Sequence, residues 1–125
     1  MDSVEVHIFS DASIVAHGAV AYFRYVNLRE EVGTSFVMSK SRISPLKKLS
    51  LPRLELMGTI IAARLWKYLS KVFCGLVDGV FLWTASEICL CWIKGSAREW
   101  KQFVSNQVLE IQGCTSPDRW KFVQG

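Results

Sequence analysis

Two acidic residues sit where a chain could place them for phosphate chemistry, and a third position in the same set carries no charge. Asp11 follows the apolar alternation of Val4, Val6 and Ile8, Glu55 follows Ser50-Leu51-Pro52, and Ala85 follows the apolar run Val80-Phe81-Leu82-Trp83-Thr84. Carboxylates are hard oxygen donors. Three of them meeting at one point would hold divalent cations such as Mg²⁺ or Mn²⁺, the arrangement that two-metal phosphoryl chemistry requires. Alanine offers neither charge nor lone pair. A plainer reading of Glu55 is a glutamate in the first turn of a helix, favoured there by the helix dipole.

For these positions to meet, the elements around them must form one sheet. Val4 to Phe9 alternates apolar residues with Glu5 and His7, the period of a strand, and ends at Ser10-Asp11-Ala12-Ser13. The stretches 16–26 and 32–39 are rich in β-branched and aromatic residues and flank the polar segment 27–31, which predicts a hairpin. Ser50 and Pro52 then open a helix, which Leu54, Met57, Ile61, Leu65, Tyr68 and Val72 carry at helical spacing to about Phe73. Glu55 shares its side of that helix with Gly58, Thr59 and Ala62, small residues that permit close approach to a neighbour. Asp78 to Thr84 reads as a buried strand, with Asp78 at the turn that starts it. Ser86 caps a short helix to about Ile93, a further helix runs from about Arg98 to Ile111, and Trp120 to Val123 is a last strand. The order βββ-α-β-α-α-β predicts an α/β fold with a mixed five-stranded sheet and helices on both faces. If the first and fourth strands are neighbours, Asp11, Glu55 and position 85 converge.

Bulk properties agree with one such unit. A chain of 125 residues is the size of a single compact domain, here taken as 1–125. Half its residues are hydrophobic, which argues against disorder. There is no long uninterrupted apolar run and no signal-peptide pattern at the start, so a soluble, intracellular protein without membrane contact is expected. Cys74, Cys89, Cys91 and Cys114 lack zinc spacing and read as buried thiols of a reducing compartment. The net charge of +4 is modest but unevenly placed. Lys40, Arg42, Lys47, Lys48 and Arg53 follow one another with no acid between them. Such a cluster suits a phosphate backbone, although on charge alone it is more often a solvated basic loop. His7 and His17 read as strand residues without evident partners, and Trp92, Trp100 and Trp120 as core anchors rather than base-stacking platforms.

Several segments together are more specific than this frame. Phe9-Ser10-Asp11-Ala12-Ser13, Ala16-His17-Gly18-Ala19-Val20, the stretch from Ser39 through Leu56, Leu82-Trp83-Thr84-x-Ser86, Trp92-Ile93-Lys94-Gly95, Trp100-Lys101-Gln102-Phe103-Val104-x-Asn106 and Trp120-Lys121-Phe122-Val123-x-Gly125 resemble, in order, the ribonuclease H segment of BEL/Pao-type retrotransposon polyproteins. The resemblance implies a ribonuclease H-like fold and hydrolysis of the RNA strand of RNA·DNA hybrids during reverse transcription, in a polyprotein with reverse transcriptase and integrase. It implies Asp11 and Glu55 as Mg²⁺ ligands, with Mn²⁺ a possible substitute. It also turns Lys40, Arg42, Lys47, Lys48 and Arg53, together with Ser86, toward nucleic-acid contact.

The sequence departs from that pattern twice. Ala85 stands where the motif has an aspartate, and the chain stops at Gly125, before the helix that would supply a fourth carboxylate. Glu87 is the nearest acid to position 85 but is expected to point elsewhere. Loss of one electrostatic group from a catalytic site costs on the order of 10²–10³-fold in rate. The expectation is therefore a domain that is not a competent nuclease by itself, whose Mg²⁺ binding is in doubt and which retains nucleic-acid contact. The alternative is a host-recruited module that binds nucleic acid or protein without cleavage.

Overall fold

The computed structural model describes residues 3–13, 15–44, 49–95 and 101–123. Lys47, Lys48, Arg98 and Trp100 lie outside them. The chain forms β1 (Ser3–Ala12), β2 (Ala16–Val26), β3 (Val32–Ile43), α1 (Leu51–Val72), β4 (Gly79–Thr84), α2 (Glu87–Lys94), α3 (Gln102–Cys114), a 3-10 turn at Pro117–Arg119, and β5 (Trp120–Phe122). The sheet order is β3-β2-β1-β4-β5. The meander β1-β2-β3 is antiparallel, and β4 and β5 join it in parallel. This is the mixed five-stranded sheet expected from the sequence, with β1 and β4 as neighbours.

β3 extends beyond the expected stretch and takes Lys40, Ser41, Arg42 and Ile43 into the ladder opposite Ala19, Gly18, His17 and Ala16. A polar run gives no alternation to read, yet an edge strand tolerates polar side chains on both faces, and its charges hinder edge-to-edge pairing. The basic stretch is therefore divided between a strand, which carries Lys40 and Arg42, and α1, which carries Arg53.

Alternation sorts the strands into two faces. Val6, Ile8, Ala19, Ala21, Val80, Leu82 and Trp120 are buried on one face, where they form a core with Leu56, Ile60 and Leu65 of α1, Cys89 and Ile93 of α2, and Val108 and Ile111 of α3. Trp120 is fully buried and donates its indole N–H to Thr115 Oγ1 at 2.9 Å. It is the core anchor expected, and Trp92 packs half-buried beside the same core. Among the described residues, the helices gather on this face. The other face carries neighbouring rings, with Phe36, Tyr22, His7 and Phe81 in one cross-strand row and Phe9 and Trp83 in the next. No described helix is long and apolar enough to cross a membrane.

Some local expectations are corrected. Ser50 occupies the N-cap position of α1 but makes no side-chain cap; only its carbonyl accepts, from Leu54 N at 3.0 Å. Glu55 is the fifth helical residue, past the first turn, so the helix dipole gives no account of it. His7 does have partners, because Trp83 Nε1 donates to its Nδ1 at 3.1 Å and Glu5 Oε1 lies 3.3 Å from its Nε2. Those contacts leave the proton on Nε2. All four cysteines are free, but Cys74, in the turn after α1, and Cys91, on the outer side of α2, are exposed rather than buried.

Candidate active site

The end of β1 is fixed by its neighbours on both sides. Asp11 stands opposite Gly18 of β2, and the preceding Ser10 pairs with Thr84 of β4. Ser10 Oγ also donates to Trp83 O at 3.1 Å. Ala85 continues β4 past that last pair, so it lies beside Asp11 at the same end of the sheet. The Asp11 side chain is exposed, and its Oδ1 accepts from the backbone N–H of Ala12 at 2.8 Å.

Glu55 arrives from α1. A Cβ at Gly58, one turn further along the helix, would stand 2.9 Å from the Asp11 carbonyl oxygen and 3.5 Å from that of Gly18. Only a residue without a side chain lets the helix lie so close to the strand ends. The Glu55 carboxyl is raised above its ordinary pKa, chiefly by burial and further by the Asp11 charge, while a hydrogen bond from Ser86 opposes the shift. The Asp11 charge thus reaches the Glu55 carboxyl, as a like charge nearby must disfavour its ionised form.

The third corner is built by the turn between β4 and α2. Ser86 N donates to Thr84 Oγ1 at 3.1 Å, Val123 N donates to Thr84 O at 2.9 Å, and Ser86 Oγ accepts from Cys89 N at 3.2 Å to cap α2. Cys89 Sγ in turn donates to Pro52 O at 3.3 Å, tying α2 to the first turn of α1. Burial pushes the Cys89 thiol up to about 12, with the nearby Glu55 charge adding to the rise and the Ser86 hydrogen bond opposing it. The turn that carries position 85 is therefore tied to β4, α2 and the first turn of α1. What it presents is an exposed methyl group. Glu87 is exposed in the first turn of α2.

Among the described residues, no three of the His, Cys, Asp and Glu side chains are grouped to hold a metal ion. Two carboxylates, one of them partly desolvated and raised in pKa, do not fit a two-cation centre, which needs enough fixed negative charge to hold both ions.

The expected nucleic-acid contacts fall in different places. Lys40 and Arg42 are exposed on β3. The Arg53 guanidinium lies over the Phe103 ring, 5.1 Å from its centroid, in a separate cleft with Trp92 and Lys101. Ser86 is buried, and its hydroxyl caps α2. His17 is buried on β2 beside this region, and among the described residues its Nδ1 has no partner. Burial, and then the Arg42 charge opposite it, lower its pKa and keep it neutral. The alternation of His17, Ala19 and Ala21 with outward residues is the signal in the sequence that could have placed His17 on the buried face.

Comparison with known proteins bears on this geometry. The family model of the Pao retrotransposon-like RNaseH-like domain matches residues 1–86, which include positions 11, 55 and 85. No curated protein matches the chain. Among solved structures, LC11-RNase H1, isolated from compost and solved in complex with an RNA/DNA hybrid, superposes with a TM-score of 0.53 at 14% identity, over 97% of this chain and 83% of that one. The N-terminal RNase H domain of a Mycobacterium tuberculosis protein, solved as a fusion with maltose-binding protein, gives a TM-score of 0.50 at 11% identity, over 98% and 83%. At such identities the likeness is one of fold.

Proposed function

The chain belongs to the Pao retrotransposon-like RNaseH-like domain family, and from that membership we propose that it holds nucleic acid in a ribonuclease H-like frame without cleaving it. The substrate class of the ancestral site is the RNA·DNA hybrid, the ligand with which the similar LC11-RNase H1 was solved. The observation that carries the reading is the side chain at position 85. Strand pairing, the cap of α2 and the close approach of α1 bring three positions to one edge, and only Asp11 and Glu55 bring carboxylates to it.

Contact with the sugar-phosphate backbone uses other residues and outlasts the loss of chemistry. Lys40 and Arg42 are the described cations that β3 brings to the same end of the sheet as Asp11. Arg53 supports the packing of α1 on α3 through Phe103, and Ser86 caps α2. Lys47 and Lys48 belong to the same basic stretch of sequence.

A fluorescence-anisotropy titration of a labelled RNA·DNA hybrid over a range of salt concentrations tests the reading. Binding that weakens steeply with salt is expected, since phosphate contact releases counterions. No binding even at low salt would contradict it.

A further inference from the structure

Among the described residues, β3 is an edge strand, paired on one side with β2. Its Met38, Lys40 and Arg42 stand opposite Ala21, Ala19 and His17, which are buried against the helices, so these side chains reach over α1. With Ser41 of β3 and Ile61, Arg64, Leu65 and Tyr68 of α1 they line a cleft of about 660 Å³. Among the described residues, three cations border it and no acid lines it. Glu110 of α3 holds Arg64 through two hydrogen bonds, one of them to Nη2 at 2.8 Å, which fixes the guanidinium in place. Among the described residues, neither Lys40 nor Arg42 is in a salt bridge.

The cleft lies along a path from the carboxylate edge. Arg42 shares a cross-strand row with Ala12, the neighbour of Asp11, at two strand spacings or about 10 Å. Along α1, Ile61 begins the cleft about 9 Å from Glu55, and Tyr68 closes it about 10 Å further on, at the helical rise. Lys40 and Arg42 follow one another about 6.6 Å apart along β3. The floor is apolar, and Tyr68 is 56% exposed at the outer end.

We propose that this cleft seats the phosphodiester backbone of a nucleic-acid strand leaving the carboxylate edge, with Lys40 and Arg42 on the phosphates and the Tyr68 ring against a base. The proposal rests on the nucleic-acid reading given above and assigns it a second surface, the Ile61 to Tyr68 part of α1, that lies beyond the basic stretch of sequence. An isolated phosphate would need neither the length of the cleft nor the exposed ring. A nucleic-acid strand uses both, because its repeating charges meet cations and its bases stack on an aromatic face.

The test compares the unchanged chain with Arg42→Gln, Tyr68→Ala and Tyr68→Phe in hybrid and single-strand binding. All of these side chains are exposed, so folding is spared. Arg42→Gln is expected to lower the slope of log affinity against log salt by about one contact, or roughly 0.7–0.9. Tyr68→Ala is expected to weaken binding roughly 5- to 100-fold, and Tyr68→Phe to restore it. Binding by the unchanged chain, with no effect of Arg42→Gln or Tyr68→Ala, would overturn the cleft and leave the nucleic-acid reading standing. No binding by the unchanged chain would overturn both. Tight binding of oligoglutamate that is indifferent to Tyr68→Ala would assign the cleft to an acidic peptide instead.

Discussion

The missing side chain of Gly58 faces the backbone carbonyl of Asp11, 2.9 Å from where a Cβ would be. That relationship brings α1 onto the end of β1 and sets Glu55, one turn earlier, within reach of the Asp11 charge. It also makes a stability prediction whose sign is opposite to helix propensity.

Gly58→Ala should gain about 1 kcal/mol from propensity alone. The contacting atom is strand backbone, which cannot yield as a flexible side chain would, and overpacking costs about 1–3 kcal/mol. Net destabilisation is expected in urea unfolding, with a larger Glu55–Asp11 separation reflected in a lower Glu55 pKa by carboxyl NMR. A stabilised Gly58→Ala protein would show that α1 has room to move.

Glu55 and Glu110 should respond to pH in opposite directions. The Glu55 pKa is raised by burial and by Asp11, so its folded state is favoured while the proton is on. That contribution is full below the ordinary 4.5 and is lost as pH rises through the raised value. Glu55→Gln is therefore expected to be more stable than the parent at pH 7 and to lose this advantage by about pH 4. The Glu110 pKa is lowered by its hydrogen bond to Arg64, so its contribution is present above 4.5 and disappears as pH falls through the lowered value. Because the pair is partly solvent-exposed, solvent screening discounts it, and Glu110→Gln should cost no more than about 1 kcal/mol at pH 7. Thermal unfolding from pH 3.5 to 7.5 reads both slopes, and parallel slopes would contradict the assignment.

Much of this frame is visible in the chain itself. The hairpin strands follow from β-branched and aromatic residues on either side of a polar turn, and β2 (Ala16–Val26) has the bounds that pattern gives. Glu55 could be placed near Asp11 because Gly58 and Thr59 mark the side of α1 that approaches the sheet. Other features depend on partners distant in sequence. Lys40 and Arg42 look like a loop because polar residues show no period, and only pairing with Ala19 and His17 makes them a strand. Nothing local links Arg53 to Phe103 or His7 to Trp83. Ser86 is legible as a cap, but its effect on the Glu55 pKa arises only when α1 and the end of β4 are packed together.

Ser86→Ala removes the α2 cap and the hydrogen bond that opposes the Glu55 shift. A loss of about 1 kcal/mol is expected from the cap, together with a further rise in the Glu55 pKa. Denaturant unfolding and carboxyl NMR measure the two effects separately. An unchanged Glu55 titration would show that Ser86 serves α2 alone.

Thiol chemistry should divide the cysteines. Cys89 is fully buried, with its thiol pushed up to about 12, and thiolate is the reactive form. A thiol-exchange reagent should label the exposed Cys74 and Cys91 rapidly in the folded protein and reach Cys89 only on unfolding. Rapid labelling of Cys89 under native conditions would mean that α2 opens away from α1.

The central claim is that two carboxylates at this edge do not make a nuclease. The measurement that meets it most directly is cleavage of a labelled RNA·DNA hybrid by the purified chain, in Mg²⁺ and then Mn²⁺, beside Ala85→Asp. The chain as it stands is expected to leave the RNA strand intact, while Ala85→Asp gains divalent-cation affinity measurable by calorimetry. Metal-dependent cleavage by the unaltered chain, abolished by Asp11→Asn, would contradict the account.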